Sequence, residues 1–209
     1  MNELHWSVNA AYDSAAARVP EHSLVRLITE RRSIRRFRNK PLDDSILSQL
    51  LETVRYAPTG LNRQNLRYIV LRKKLPQITK LVIQDLSDRI DEHALRLDRD
   101  TLLRILKDAT VGYDSLFYAA PAVIVILDCF GKQVDGGIAA AHIVLLAQTM
   151  GLGTCINGIF PKLATYTPAV LDALAIPSGF GIVTSIAIGY PDLQYMNIPP
   201  RKNPEIIWA

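Results

Sequence analysis

Apolar residues recur along this chain in three patterns, and each predicts a different kind of element. Ile46, Leu47, Leu50, Leu51 and Val54 return at helical spacing, which puts one buried face on a helix over 44–56. Asp43 stands where its N-cap belongs, and Asp44 falls in the first turn, where the helix dipole favours a carboxylate. Residues 122–127 form an unbroken, largely β-branched run, the pattern of a strand buried on both faces. Residues 182–189 read as another buried strand, and 68–71 as a shorter one. The third pattern is the segment 138–150, apolar nearly all round, with only His142, Gln148 and Thr149 polar. Such a helix must be covered on every side, by a sheet on one and by a second layer or a second subunit on the other.

The remaining segments are less periodic. A helix starts at Ser23 as cap and carries Leu24, Leu27 and Ile28 towards residue 31. Helices are also expected over 76–90, 100–107 and 161–174, with a short one around 113–118. Residues 85–100 are polar on most faces and are expected outside the core, as a lid or as a plain solvated helix pair. Glycine, proline and side-chain amides mark 57–65 as a loop. The glycines of 151–158 mark a turn whose backbone can approach a ligand closely. Prolines keep the C-terminal segment from Pro199 extended, and its apolar end (Ile206, Ile207, Trp208) needs a surface such as a neighbouring subunit. Residues 1–22, with isolated Trp6 and Tyr12, read as an arm before a single domain over 23–209.

With 49% apolar and 21% charged residues, the 209-residue chain can bury one sizeable core. No apolar run approaches the ~20 residues that span a bilayer, and no secretory signal opens the sequence. The expected location is therefore the cytoplasm, with no membrane partner. Cys129 and Cys155 are the only cysteines, and His5, His22, His93 and His142 are scattered, which argues against a metal site or a disulfide framework. The net charge of +4 is local, because Arg31, Arg32, Arg35, Arg36 and Arg38 fall close together with Ser33 among them. A nucleic-acid binder more often spreads its basic residues along a face, so no nucleic-acid partner is expected. A guanidinium offers a planar fork of donors that suits phosphate or carboxylate. The cluster is either a solvated basic edge or a site for one phosphorylated ligand.

Four separated segments then line up: Arg31-Arg32-Ser33-Ile34-Arg35 with Phe37, the loop from Ala57 to Gln64, the stretch from Gly151 to Gly158, and Gly189-Tyr190-Pro191 followed by Arg201-Lys202. On these residues the chain resembles the FMN-dependent nitroreductase superfamily over residues 24–209. The resemblance implies an α+β fold, a central mixed or antiparallel sheet flanked by helices. It also implies an intertwined homodimer with a C-terminal extension and an FMN at each subunit interface. By position, it assigns Arg31 and Ser33 to phosphate or ribityl oxygens, Arg32 to the neighbourhood of the phosphate and Arg35 to that of flavin N1 and O2. The loop carrying Pro58, Thr59, Gly60, Asn62 and Gln64 comes from the other subunit and meets the ring. Ile156, Asn157 and Gly158 border N5 and O4, through a backbone N–H of Asn157 or Gly158. Arg201 or Lys202 completes the phosphate clamp.

What the resemblance implies about activity is transfer of hydride from NAD(P)H through flavin N5 to a small-molecule acceptor, a nitroaromatic, quinone or activated enone, in ping-pong order. Its alternatives are a specialised flavin enzyme (dehalogenation, flavin fragmentation or peptide dehydrogenation) and a non-catalytic flavin-binding or storage protein. In two places the chain departs from relatives. It runs Gln64-Asn65-Leu66 where the family commonly has Gln-Pro-Trp, and residues 1–22 hold no cysteine for an appended ferredoxin-type cluster.

No catalytic side chain is expected, because the flavin carries the chemistry. Cys155 accordingly reads as a small buried thiol and His142 as a core or interface histidine. Tyr113, Phe117 and Tyr118 read as core before pocket, and Arg36 and Arg38 as solvated or paired with Asp43 or Asp44.

Overall fold

The computed structural model describes residues 21–129 and 133–209; the expected arm over 1–22, with Trp6 and Tyr12, lies outside them up to residue 20. Four strands, β1 (Arg67–Leu71), β2 (Ala122–Cys129), β3 (Gly153–Asn157) and β4 (Phe180–Gly189), form one sheet in the order β1-β2-β4-β3. Every neighbouring pair is antiparallel. The helices are α1 (Glu21–Glu30), α2 (Asp44–Val54), α3 (Leu75–Asp88), α4 (Ile90–Ala94), α5 (Arg99–Thr110), α6 (Gln133–Thr149), α7 (Ile159–Ala164) and α8 (Pro168–Leu174).

Strand β2 is central and buried on both faces, as its sequence demands. Its alternation divides the interior into two cores. Val123, Val125 and Leu127 join Leu71 against α3, α5, α7 and α8, where Ile78, Val82, Leu102 and Phe160 are fully or almost fully buried. Ala122, Ile124 and Ile126 join Ile186 and Ile188 against α2 and α6. The arrangement is a helix–sheet–helix sandwich. Among the described residues no helix is long and apolar enough to cross a membrane.

Several elements depart from the sequence reading, each for a local reason. Ser23 lies inside α1 and does not cap it. Asp43 occupies the N-cap position of α2 but makes no side-chain cap bond, while Asp44 pairs with Arg72. Gly136 and Gly137 belong to α6, and Gly136 is needed there: a Cβ would come within 2.6 Å of Val183 on the sheet. The stretch 151–158 is mostly strand, since only Gly151 turns with a positive φ of 72° and β3 follows at once. The helix expected over 161–174 is two helices, α7 and α8, with the second starting at Pro168. Residues 113–118 form a turn, tied by the Asp114 carboxylate to the N–H groups of Leu116, Phe117 and Ala119.

Residues 85–100 are exposed along much of their length, as expected, but one face of them is anchored to the body. Leu86 and His93 are buried, and the Asp85 carboxylate accepts from Arg89 at 2.7 Å, His93 Nε2 at 2.8 Å and Thr167 Oγ1 at 2.9 Å. The polar residues that looked outward thus pin α3 and α4 to the start of α8. Burial pushes the Asp85 carboxyl up, but hydrogen bonds from His93, Arg89 and Thr167 outweigh it and hold it below the usual range. A lowered folded pKa means stability that is present above the unfolded value and lost as pH falls through the folded one. Asp85→Asn should therefore lower urea stability at neutral pH and narrow the stability difference between neutral pH and pH below about 4. Denaturation at the two pH values checks it.

On α6 the sheet-facing side is filled by Ala139, Ala140, Ile143, Val144 and Ala147. The opposite side leaves Val134, Ala141 and His142 exposed, so the all-round apolar helix is only part-covered within one chain. His142 is therefore not a core residue here; its Nδ1 lies 2.8 Å from the Ile138 carbonyl.

Candidate functional site

Leaving α1, the arginine segment runs along the outer edge of β3. Ser33 bridges Thr154 in parallel, and the N–H of Ile34 donates to the Thr154 carbonyl at 2.8 Å. Further on, Phe37 bridges Pro191, Arg38 N–H reaches the Tyr190 carbonyl, and Asp192 N–H reaches that of Arg36. The first and fourth motifs of the sequence are thus clipped together. The third makes room for the first: a Cβ on Gly153 would lie 2.8 Å from Ile34 Cγ1 and 2.9 Å from its Cβ and Cγ2. Only glycine lets the segment approach this closely.

The arginine side chains of this segment differ in their surroundings. Arg32 turns inward: its guanidinium donates to the carbonyls of Thr29 (2.8 Å), Arg31 (2.6 Å) and Asn197 (3.4 Å). It closes the end of α1 and tethers the C-terminal segment, which fits a structural role better than a phosphate contact. Arg36 pairs with Asp192 at 3.5 Å, not with Asp43 or Asp44. Arg31 and Arg35 remain beside Ser33. Arg35 lies over the ring of Tyr118, 5.8 Å from its centroid, and hydrogen bonding to the Tyr118 hydroxyl raises its pKa. Burial pushes the Cys155 thiol up, against a smaller pull down from Arg35 and Ser33, so it stays protonated at neutral pH. Tyr195 donates from its hydroxyl to the Ser33 carbonyl at 3.4 Å.

The three aromatics of 113–118 separate in the structure. Phe117 is core, packed on Phe160 with ring centroids 5.0 Å apart; Tyr113 is exposed; Tyr118 faces the arginines. Tyr118 adopts a positive φ of 60°, unusual for a bulky residue and enforced by the Asp114 turn. In β3, the Asn157 side chain makes three hydrogen bonds, with Nδ2 donating to Leu116 O and Oδ1 accepting from Ile159 and Phe160 N–H. The latter two bonds tie the Asn157 side chain to the start of α7. Ile156 and Gly158 are exposed.

The second motif lies elsewhere. Residues 58–64 leave α2, pass through a 3-10 turn at Gly60–Asn62 and feed β1 at the opposite edge of the sheet. Asn65 reaches Cys129 at the far end of β2, whereas Ser33 aligns through Thr154 and Ile188 with Ala122 at its near end. Along β2 that is a separation of roughly 20 Å, before the width of the sheet is added. Within one chain the loop carrying Asn62 and Gln64 therefore lies far from Arg31. Arg201 and Lys202 are exposed in the extended tail after Asp192, with Ile207 and Trp208 bare beyond them.

Sequence reasoning missed Tyr195 and Asp135 near these motifs and read Tyr118 as core before pocket. Tyr118 and Tyr195 meet Arg35 and Ser33 from 83 and 162 positions away, and Asp135 binds Gly60 from 75. No local signal links such distant positions; the acidic first turn of α6 was the only clue to Asp135.

Residues 28–190 match a family profile described as Nitroreductase family. The chain belongs to the nitroreductase family. Similar proteins include an NADH dehydrogenase of Thermus thermophilus, 25% identical over 182 residues that make up 78% of this chain and 83% of that one. An FMN reductase of Bacillus subtilis named for NAD(P)H is 23% identical over 181 residues, 81% of this chain and 66% of its own length. Among solved nitroreductase structures, one from Desulfitobacterium hafniense with bound FMN aligns with a TM-score of 0.69 and 26% identity, over 88% of this chain and 97% of that one. The antiparallel sheet between two helical layers is the nitroreductase fold.

Proposed function

We propose that this chain is an FMN-dependent oxidoreductase that takes electrons from NAD(P)H and passes them to a nitroaromatic, quinone or activated enone in ping-pong order. Two FMN sites lie between two copies of the chain. The observation that carries this reading is the convergence of Arg31, Ser33 and Arg35 on the edge of β3, with the matching loop at the opposite corner of the sheet. The donor set suits the cofactor: two guanidinium groups and a hydroxyl for a phosphorylated chain, then a fixed cation and backbone groups for the polar edge of a ring. When bound, FMN supplies hydride exchange at N5.

Arg31 and Ser33 hold the phosphate end, and Arg201 or Lys202 of the tail closes over it. Arg35 sets a fixed positive charge beside the pyrimidine edge, and Tyr118 orients it. Pro58, Thr59 and Gly60 of the neighbouring copy bring Asn62 and Gln64, whose amides offer both donors and acceptors, to the same edge. The backbone of 156–158 lies along the other side. The exposed side of α6 and the bare apolar tail are covered by the second copy. None of these tasks requires a protein acid, base or nucleophile, which agrees with the protonated, buried state of Cys155.

An absorbance spectrum before and after anaerobic NADH or NADPH tests the proposal. A visible flavin band that bleaches with either nucleotide supports it. Protein that purifies colourless and binds no added FMN overturns it, and bound FMN that neither nucleotide reduces transfers the case to a flavin-storing or specialised protein.

A further inference from the structure

Asp135, in the first turn of α6, is buried, and both of its carboxylate oxygens lie 3.1 Å from the N–H of Gly60. Gly60 opens the 3-10 turn Gly60–Asn62, and the loop beyond it adopts costly backbone angles: Leu61, Asn62 and Gln64 have φ of 57°, 51° and 53°. Packing does not impose this shape, since Gly60 to Gln64 are exposed and Leu61 is 86% so. Inside the loop, Gln64 N–H donates to Thr59 Oγ1, Asn62 N–H to the Thr59 carbonyl and Arg63 N–H to that of Gly60. These bonds shape the loop but do not orient it on the protein. Its bond to the body at Gly60 comes from Asp135, a carboxylate favoured in the first turn of a helix by the dipole.

We propose that Asp135 is a positioning residue that aims the Pro58–Gln64 loop at the FMN held by the neighbouring copy. The proposal rests on the composite site described above. A buried charge on a long central helix gives the loop a rigid origin, so the amides of Asn62 and Gln64 arrive at a fixed place. The carboxylate touches neither the flavin nor the substrate; it acts through the Gly60 N–H.

The test measures FMN affinity of the full chain freed of flavin, by fluorescence quenching, for Asp135→Ala, Asp135→Asn and Arg31→Ala, and for mixtures of chains. Asp135→Ala is expected to weaken FMN roughly tenfold, from loss of one charge-assisted bond, and Asp135→Asn less, because an amide oxygen still accepts. Chains carrying Arg31→Ala and chains carrying Asp135→Ala, unfolded and reassembled together, should regain wild-type affinity in about a quarter of sites, the share expected from random pairing into two-fold dimers. A role confined to the folding of α6 would give no such rescue of affinity by the partner chain. Gly60→Pro removes the same N–H without touching α6, and extended Thr59 (φ −127°, ψ 149°) tolerates a following proline, so it replaces Asp135→Ala should that variant not fold. Unchanged FMN affinity in Asp135→Ala alongside a loss in Arg31→Ala overturns this inference alone, as do mixtures no better than their parents. Unchanged affinity in Arg31→Ala overturns the FMN site itself, and this inference with it.

Discussion

Arg31→Ala is expected to raise the FMN dissociation constant between roughly tenfold and a hundredfold, the range for losing a charge-assisted contact to phosphate. The reason is position. Arg31 follows α1 directly, its N–H bound to the Leu27 carbonyl, and stands next to Ser33, which is fixed on Thr154. Its neighbour Arg32 is already committed to three backbone carbonyls, so Arg32→Ala should act mainly on thermal stability. Ser33→Ala should weaken FMN less than Arg31→Ala, since a neutral hydroxyl makes the weaker bond. Arg35→Ala should chiefly lower the flavin reduction potential, because it removes a fixed cation. Flavin fluorescence titration at two salt concentrations, with spectroelectrochemistry, separates these effects. Equal loss of FMN in all of them with unchanged potential would refute the division of labour.

The second large effect is at Gly153. An added methyl there meets three Ile34 side-chain atoms below 3.0 Å, including the Cβ, and none of them is the far end of a flexible chain. Relief requires the segment from Arg31 to Phe37 to lift off β3, breaking the Ile34–Thr154 bond. Overpacking of this kind costs about 1–3 kcal/mol. In a chain of this size that is a fall in Tm of roughly 3–10 °C. Gly153→Ala should therefore melt earlier and also retain less FMN, since Arg31, Ser33 and Arg35 move with Ile34. Gly181→Ala on β4, where a Cβ meets nothing within 4 Å, serves as the control and should change neither. Differential scanning fluorimetry and FMN titration on both variants decide it.

These effects show where local pattern is informative and where it is not. The spacing of Leu47, Leu50 and Val54 and the apolar run of β2 report burial, because a helix or strand repeats its exposed and buried faces at a fixed period. Strand β3 carried no such pattern. It is short, starts with glycine and lies between β4 and the arginine segment, so pairing rather than composition makes it a strand. The stretch 85–100 is only partly legible: most of it is exposed, as its polarity suggests, yet Asp85, Arg89 and His93 satisfy one another and Thr167 in a part-buried cluster.

For the candidate site the division is similar. The sequence by itself determined the residue types that suit a phosphorylated ring cofactor, the arginines with Ser33 above all, and their likeness to one family. It also determined that α6 is too apolar to stand alone, since that follows from composition around a helix. The tertiary structure showed which arginines have partners within the chain: Arg32 reaches Asn197 and Arg36 pairs with Asp192, both far along the sequence. It alone placed Tyr118 on Arg35 and Asp135 under Gly60. It also put the arginine segment and the Pro58–Gln64 loop at opposite corners of the sheet. Separation in space depends on strand order, and strand order is set by long-range pairing that no local window of sequence contains.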